Sequence, residues 1–478
     1  MADSSVKHID FIELAHDALD DKNLQSALHH IGDGFVSNRA RAVDAVDDFE
    51  SMRVAAKEVR ERAMKHLDTY LLHFEQKVNE AGGHVHYAET PEQLAQLVVD
   101  ISKNHGAKTV LKGKSMVAEE AHLNKVLEKN DLTPFETDLG EYIIQLADEP
   151  PSHIVVPALH KTKGEIKDLF EAAHDKGERD LDTVPGIVNE AREVMRERFL
   201  TADMSITGAN MLVAETGSTV LVTNEGNGDL SSTLPKLHIV TAAVDKIVPT
   251  THDAAKVLRV LARSATGQPI TAYTSVYNGV KREEDQDGPE EFHIILLDNK
   301  RTEILASEFK EMLNCIRCGA CMNHCPVYTS VGGHAYDSVY PGPMGSVLTP
   351  LMKSEDNTKY ALPNASTFCG RCAEVCPVKI PLPDLLRKLR VKAANEKVPP
   401  LTSRLFVSVY MTVIRYPRFY AFSTGIAIPI FKLFAKGSGK IRSFVGLGGW
   451  TQSRDMPAPE GETFQQRWKK SQHNRANK

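Results

Sequence analysis

All seven cysteines of this 478-residue chain lie in one short region, between positions 315 and 376. Four of them form the run CIRCGACMNHCP, with the spacing C-x2-C-x2-C-x3-C-P. Three more follow in STFCGRCAEVCP, where Ser366 stands at the position of the first cysteine of the earlier run. This spacing is typical of ferredoxins with two iron–sulfur clusters, in which the fourth cysteine of a run ligates the other cluster.

The spacing divides the cysteines into two predicted ligand sets. The set for the first cluster is Cys315, Cys318, Cys321 and Cys376. The set for the second cluster is Cys325, Cys369 and Cys372. The second set lacks one thiolate, and three completions remain open: Ser366 binds through oxygen, a remote or non-protein ligand completes a [4Fe-4S] cluster, or the site holds [3Fe-4S]. We favour two [4Fe-4S] clusters, the second with an unusual fourth ligand.

Structural zinc is the main alternative for these cysteines. Zinc sites usually take four ligands as two C-x2-C or C-x2-C/His pairs, whereas here a run of four is echoed by a second Cys-Pro motif. We therefore expect iron–sulfur clusters, and we do not count the nearby His324 and His334 as ligands. A disulfide framework is not expected, because the cysteines are tightly grouped and the N-terminus has no export-signal pattern.

Composition and charge exclude two classes of protein. Lys and Arg total 57 against 63 Asp and Glu, so there is no basic surplus that would indicate nucleic-acid binding. The most apolar stretch, residues 405–434, is divided by Arg415, Pro417 and Arg418 into pieces shorter than the ~20 residues that a spanning helix needs. We expect a pair of buried or partner-packed helices there, in a cytoplasmic protein. Contact with the cytoplasmic side of a membrane is the alternative.

Four regions are predicted along the chain. Residues 1–80 have a charged, helical pattern, with one long helix that ends at Gly82-Gly83. Residues 81–300 alternate between strand and helix patterns, which predicts an α/β domain with βαβ units and a mostly parallel sheet. Residues 301–395 form the α-helical cysteine module, and residues 396–478 form a helical and extended tail. The predicted strands are HVHYA, KTVLKG, PFETD, SHIVVPA, TVLVTN, LHIVTAAV and EFHIILLD.

The α/β region offers one weak candidate for anion binding. Lys112 and Lys114 lie at a strand-to-helix turn, and the glycine-containing loop EGNGDLSS exposes backbone N–H groups. Glu215 and Glu225 flank the same glycine-rich stretch. The alternative is that the glycines are simple turns and the glutamates are solvated. No nicotinamide, flavin or P-loop fingerprint is present.

The chain resembles the lactate utilization protein B family, the iron–sulfur subunits of a bacterial three-component L-lactate oxidation system. The segments that carry the resemblance are KGKSMVAEEAHLN, ETDLGEYIIQL, PPSHIVVPALHK, ITGANMLVAETGS, TNEGNGDLSSTLPKLHI, CIRCGACMNHCPVY and CGRCAEVCPVKIPLPDLL, in that order. The resemblance implies a lactate-utilization domain related to the CoA-transferase/ribose-5-phosphate isomerase fold group. A two-cluster ferredoxin-like module and a family-specific tail would follow. Seven cluster cysteines without an eighth are similar to the family pattern.

The resemblance also implies a function and partners. It implies electron transfer during oxidation of L-lactate to pyruvate, which allows L-lactate to serve as a carbon source. The implied partners are a subunit with CCG-type domains and a second subunit with a lactate-utilization domain. No catalytic residue is assigned, since no motif carries the CoA-transferase glutamate onto Glu215 or Glu225. Two alternatives stay open: the chain itself binds lactate at Lys112, Lys114 and the glycine-rich loop or at an exposed iron, or it is a redox sensor.

Overall fold

The computed structural model of the protein describes residues 11–175, 179–435, 439–442 and 454–476. The predicted absence of an export signal concerns in part residues 1–10, which lie outside the described residues. The chain forms two compact units, one up to Lys392 and one from Ala393 onward. The first unit contains the α/β and cysteine regions, and the second contains the apolar helices and the polar tail.

Nineteen α-helices begin in the described part of the first unit. They are α1 Phe11–Asp20, α2 Lys22–Ile31, α3 Ser37–Asp44, α4 Phe49–Lys65, α5 Leu67–Glu80, α6 Pro91–Asn104, α7 Met116–Glu120, α8 Leu123–Glu128, α9 Leu139–Leu146, α10 Lys163–Ala173, α11 Val184–Thr201, α12 Asn227–Thr233, α13 Thr251–Ala265, α14 Arg301–Leu305, α15 Ala320–Asn323, α16 Tyr328–Val331, α17 Gly342–Met352, α18 Arg371–Glu374 and α19 Leu382–Asn395. A π-helical turn spans Gly32–Val36, and 3-10 turns span Val244–Lys246, Lys310–Asn314, His334–Tyr336 and Asn357–Asn364.

The α/β domain is built on two sheets. Its strands are β1 His84–Ala88, β2 Thr109–Lys112, β3 Thr133–Glu136, β4 Met204–Gly208, β5 Met211–Val213, β6 Ser218–Thr223, β7 Leu237–Ala243, β8 Ile247–Val248, β9 Tyr273–Tyr277 and β10 Glu291–Leu297. The main sheet has the order β1-β10-β7-β4-β2-β3, and all its pairs are parallel. The second sheet has the order β8-β5-β6-β9 and is mixed. The predicted parallel α/β domain is therefore confirmed.

Helices cover both faces of the main sheet, as parallel sheets require. Because successive side chains of a strand point to opposite faces, Val110 and Leu111 of β2 belong to different hydrophobic clusters. Val110 packs with Val98 of α6 on one face, and Leu111 packs with Phe170 of α10 on the other. Burial on both faces explains why the strands read as continuous apolar runs.

Two local predictions are wrong, one in the α/β region and one in the helical region that precedes it. The segment SHIVVPA forms no strand, because the ring Nδ1 of His153 accepts hydrogen bonds from the backbone N–H groups of Val155 and Val156, each at 3.0 Å. These bonds fold the segment into a turn. The single long helix before Gly82 is two helices, since His66 leaves helical geometry at φ −124° and ψ 37° between α4 and α5.

The cysteine region is helical, as predicted. The stretch between the two cysteine motifs contains α16, α17 and two 3-10 turns. Leu385, Leu386 and Leu389 of α19 are buried. Asp384 lies inside the first turn of α19, because the helix already begins at Leu382.

The second unit contains α20 Leu401–Arg415, α21 Pro417–Phe434, the antiparallel pair β11 Lys440–Ile441 and β12 Met456–Pro457, and α22 Phe464–Ala476. The two predicted apolar helices are present, but many of their large side chains are exposed, including Phe406 and Leu433. Within the described ranges, no helix is long and apolar enough to cross a membrane.

A fully buried lysine ends strand β2. Lys112 is 0% exposed, and its Nζ contacts Glu119 Oε1 at 2.6 Å and Glu136 Oε1 at 2.5 Å. Burial alone would lower the pKa of Lys112, but the two carboxylates outweigh it and raise the pKa. The predicted role of Lys112 in anion binding is therefore wrong: its ammonium is already paired inside the domain.

Replacing Lys112 by methionine should destabilise the α/β domain by about 3–5 kcal/mol, because the buried Glu136 and the partly buried Glu119 lose their shared cation. Urea denaturation followed by far-UV circular dichroism measures this change. Lys108→Met, on an exposed side chain just before the same strand, is the control and should cost little. Equal midpoints for the two variants would contradict the assignment of a structural role to Lys112.

Candidate iron–sulfur centres and the adjoining cavity

Four thiols line one small cavity in the cysteine region. They belong to Cys315, Cys318, Cys321 and Cys376, which we call the first thiol group. Apolar side chains complete the wall, among them Ile154, Met312, Ile316, Met344, Val378 and Ile380. The structure thus brings together, from both motifs, the four cysteines that the spacing assigns to the first cluster. All seven cysteines are free of disulfides.

The other three cysteines form a second thiol group, Cys325, Cys369 and Cys372. Burial, followed by the charge of Cys325 and then that of Cys369, raises the pKa of Cys372 to about 12. Cys325 and Cys372 are buried, whereas Cys369 is exposed. Cys321 lies in α15 and Cys372 in α18, and these two short helices contact each other, so the two thiol groups are neighbours.

Ser366 has the same local geometry as Cys315, the residue that it matches in the spacing. The backbone N–H of Arg317 donates to Cys315 Sγ at 3.4 Å, and the backbone N–H of Phe368 donates to Ser366 Oγ at 3.2 Å. The donor residues Arg317 and Phe368 both have positive φ angles, 59° and 55°. The two motifs therefore repeat one backbone conformation, with an oxygen in place of a sulfur in the second.

The glycine that follows the second ligand position of each motif also repeats. Gly319 has a φ of 75° and Gly370 a φ of 83°, a region that favours glycine. Each is followed by a short helix, α15 or α18. The repeated turn aims the cysteines at the second and third positions of each motif toward their own thiol group.

The electrostatics of the first thiol group fit a metal cluster. Burial raises the pKa of Cys318 to about 12 and that of Cys376 to about 11, and it raises the pKa of Cys321 well above its ordinary value. An apolar pocket does not stabilise several thiolates unless a cationic core compensates them, and a cluster of ferric and ferrous ions supplies that charge. Among the described residues, no three His, Cys, Asp or Glu side chains converge on a single metal-ion position.

A buried charge network fixes the first motif to the end of the main sheet. Asp245, in the turn after β7, is 0% exposed and accepts from Arg301 Nε at 3.0 Å and Arg317 Nη2 at 3.5 Å. Burial alone would raise the pKa of Asp245, but Arg317 and then Arg301 hold it below its ordinary value. Arg301 also donates to Glu120 at 2.5 Å, and Tyr340 donates to the same carboxylate.

A cavity of about 540 Å³ lies at the carboxyl ends of the parallel strands. Its wall includes residues that follow β2, β3, β4, β7 and β10, the edge at which ligands bind in open α/β sheets. Cys318 and Arg317 belong to this wall as well as to the wall of the first thiol group. The charged side chains that line the cavity are Lys114, Lys246, Arg301, Arg317, Asp138 and Glu225.

The other candidate residues are placed as follows. Lys114 lines the cavity, and its Nζ donates to the Val155 carbonyl at 2.5 Å. Glu225 also lines it, where desolvation and then Asp138 raise the pKa of Glu225. Glu215 instead accepts from the backbone N–H of Thr251 at 2.9 Å and caps α13.

His324 and His334 lie outside both thiol groups. His324 Nδ1 is 2.9 Å from the Ala320 carbonyl, and His334 Nε2 is 2.8 Å from the Pro150 carbonyl. Each ring is therefore engaged with a backbone oxygen.

Sequence reasoning missed Asp245, Lys246 and Arg317. The dipeptide Asp245-Lys246 directly follows a strongly apolar strand, where ligand-binding loops of parallel sheets begin, and this position was the only available signal. Burial, then Arg317, lowers the pKa of Lys246 to about 8. The side chain of Lys246 is half-buried and lines the cavity. Arg317 lies inside the cysteine run, and the spacing of that run gives no indication that the arginine has a role of its own.

Comparison with known families defines the class of protein. A LUD domain model matches residues 71–297, and a 4Fe-4S dicluster domain model matches residues 311–380. The fold and the site are therefore those of an iron–sulfur protein in which a dicluster domain follows an α/β LUD domain.

Relatives extend the match along almost the whole chain. Lactate utilization protein B of Lysinibacillus sphaericus (strain C3-41) is 42% identical over 448 residues, which cover 93% of this chain and 94% of that protein. The protein of the same name from Bacillus thuringiensis (strain Al Hakam) is 40% identical over 460 residues, 96% of each. The chain belongs to the lactate utilization protein B family.

One solved structure shows a partial similarity to this chain. The crystal structure of a DUF162 family protein from Deinococcus radiodurans is 17% identical and covers 48% of this chain and 98% of its own, with a TM-score of 0.26. That score is too low to establish a shared fold.

Asp245→Asn should destabilise the first unit by about 3–5 kcal/mol, because the buried Arg317 would lose its carboxylate partner and Arg301 would lose one of its two. Anaerobic urea denaturation of the cluster-loaded chain measures the loss. Iron content should fall at the same time, since the first cysteine motif is released from the sheet.

Asp287→Asn, in an exposed loop, is the matched control and should leave both quantities unchanged. Full stability and full iron content in Asp245→Asn would show that the network does not hold the motif in place.

Proposed function

We propose that this protein is the iron–sulfur electron-transfer subunit of a system that oxidises L-lactate to pyruvate and so allows L-lactate to serve as a carbon source. The observation that carries the proposal is the interleaving of the two cysteine motifs, in which Cys376 of the second motif joins the thiols of the first. Family membership supplies the link to lactate, since the relatives are named lactate utilization protein B.

The proposed cofactors are two [4Fe-4S] clusters. Cys315, Cys318, Cys321 and Cys376 would hold the first, and Cys325, Cys369 and Cys372 would hold three irons of the second. Support comes from the shared cavity of the first thiol group and from the mutual electrostatic effects within the second. When bound, such clusters accept and donate single electrons.

Ser366 is proposed as the fourth ligand of the second cluster. Its Oγ occupies the place that Cys315 Sγ has in the first motif, with the same N–H donor two residues later. A serine oxygen is a harder ligand than a thiolate and would give the second cluster a different potential from the first.

The protein's own residues tune and isolate these sites. The backbone N–H groups of Arg317 and Ile380 each donate to a cysteine sulfur at 3.4 Å, and such bonds stabilise the reduced cluster. The apolar wall around the first thiol group excludes water. Since the two thiol groups are neighbours, electrons would pass between them without a large movement of the chain.

The remaining assignments follow the family resemblance. We propose a CCG-domain subunit and a second LUD-domain subunit as partners, and a cytoplasmic location. We also propose the four-region division at residues 80, 300 and 395, and membership of the α/β domain in the CoA-transferase/ribose-5-phosphate isomerase fold group. The parallel sheet with helices on both faces supports the last point in outline.

A second candidate function is favoured by one observation: the large cavity reaches Cys318. On this alternative the chain itself binds and oxidises lactate. The cluster-loaded chain with an artificial electron acceptor would then turn over L-lactate without partners. Turnover only after the partner subunits are added would instead support the electron-transfer function.

Cys318→Ala should abolish growth on L-lactate when the variant replaces the native chain, because the first cluster loses a thiolate. Growth on pyruvate is the matched control and should be normal. Far-UV circular dichroism should show an intact α/β domain, since the motif lies outside both sheets. Normal growth on L-lactate would refute the electron-transfer function.

Ser366→Ala should reduce the iron content below the about eight atoms expected for two [4Fe-4S] clusters and produce the EPR signal of a [3Fe-4S] cluster. Ser366→Cys should retain full iron with a shifted potential. Ser330→Ala, whose hydroxyl donates only to the Pro326 carbonyl at 2.8 Å, is the control. Unchanged iron and spectrum in Ser366→Ala would assign the fourth position to a remote or non-protein ligand.

A further inference from the structure

The cavity at the end of the main sheet has the dimensions of a ligand site. Its volume of about 540 Å³ lies within the ~300–1,000 Å³ typical of small-molecule pockets. It combines an apolar wall, which includes Ile143, Ile154 and Leu261, with a limited number of charged side chains. The proposed electron-transfer function makes no use of it.

Lys246 presents its ammonium group to this cavity. Its side chain is half-buried, and within the described ranges it has no hydrogen bond or ion pair. The neighbouring Asp245 carboxylate acts on Lys246 electrostatically but makes no hydrogen bond with it, because that carboxylate is bonded to Arg301 and Arg317. An ammonium group at a cavity wall without a hydrogen-bond acceptor is available to an anion.

Arg317 adds a second unfilled donor on the same wall. The residue is 8% exposed, and its Nη1 has no hydrogen-bond partner among the described residues, whereas Nη2 is 3.5 Å from Asp245. Arg317 contacts Asp245, the residue before Lys246, and both cations line the same cavity. A lysine and an arginine on one cavity wall match the two oxygens of a carboxylate.

Three of the four remaining charged groups of the cavity are already engaged, and burial followed by Asp138 raises the pKa of the fourth, Glu225. Arg301 is paired with Glu120 and Asp245, and Lys114 donates to a backbone carbonyl. Asp138 accepts from the N–H groups of Gly140 and Glu141 at the start of α9. Lys246 and Arg317 are therefore the cations with free capacity, and both lie beside the first thiol group.

We propose that Lys246 and Arg317 bind the carboxylate of a 2-hydroxy acid or of the corresponding 2-oxo acid, within the cavity and against the first cluster. The choice of acid rests on the proposed function in lactate oxidation; the anion site rests on the two side chains. A three-carbon acid fills only part of this volume, so the cavity accommodates longer side chains along its apolar wall. Selectivity for chain length is accordingly low.

Binding should be sensed by the first cluster. Arg317 contacts the cavity with its side chain, and its backbone N–H donates to Cys315 Sγ at 3.4 Å. A carboxylate placed at this residue adds negative charge close to the cluster, which disfavours reduction. The midpoint potential of the first cluster should therefore fall when the acid is bound.

Isothermal titration calorimetry on the anaerobic, cluster-loaded full chain tests the proposal. L-lactate, pyruvate and 2-hydroxybutyrate should bind with affinities within about tenfold of one another. Propane-1,2-diol, which has the body of lactate without the carboxylate, should not bind. An EPR redox titration in the presence of pyruvate should show the lowered potential.

Lys246→Gln should weaken binding of each acid by about tenfold or more, because a hydrogen bond between charged groups is lost. Its iron content should match the native chain, since Lys246 is not a thiol ligand. Lys236→Gln is the control, because this lysine is exposed, pairs only with Glu290 and lies outside the cavity wall. It should bind the acids normally.

Three outcomes would overturn the proposal: no binding of any acid to the loaded chain, equal binding by Lys246→Gln, or tighter binding of inorganic phosphate than of the acids. The proposed electron-transfer function is judged separately. Reduction of the clusters by the partner subunits with L-lactate would sustain that function even if no acid bound to this chain.

Discussion

The structure depends on one buried carboxylate, that of Asp245. It follows the central strand β7 and is shared between Arg301, which follows β10, and Arg317, which lies inside the first cysteine motif. An isolated charge at this depth would be strongly unfavourable, and so would Arg317 without it, whereas Arg301 is also paired with Glu120. Asp245 therefore links the edge of the sheet to the cysteine motif. This coupling places the first thiol group at the wall of the large cavity.

The same logic of charge compensation applies to the thiols. Burial raises the pKa of Cys318, Cys321 and Cys376, so these groups favour the neutral thiol form in the protein alone. Because cluster ligation requires thiolates, insertion of iron would release protons and couple cluster assembly to the packing of the module. Arg60 of α4 links the second sheet to the segment before the first cysteine motif. Its guanidinium donates to the carbonyls of Ile247 and Leu313 at 2.7 and 3.0 Å.

Much of the fold and the grouping of the thiols could be predicted from the sequence because both depend on short-range patterns. Strands buried on both faces read as apolar runs, and two-residue gaps bring cysteines to one turn. What failed depends on polar contacts that an apolar pattern does not encode. The pattern of SHIVVPA does not show that His153 will accept from the N–H groups of Val155 and Val156. It also does not show that Lys112 will meet Glu136 of the neighbouring strand. The cations Lys246 and Arg317, far apart in sequence, meet only through the fold.

The two motifs share a backbone conformation but differ in their surroundings. The two thiol groups are therefore not equivalent. The first thiol group has an apolar wall and adjoins the cavity, whereas the second includes the exposed Cys369. Near Cys369, Phe368 is covered by the guanidinium of Arg390, at 4.2 Å from its ring centroid. With clusters ligated as proposed, the first would adjoin the anion site inside the chain and the second would exchange electrons with a partner at the surface. If Ser366 ligates the second cluster as proposed, it would change the potential there without altering the turn, and one repeated conformation would yield two unequal redox sites.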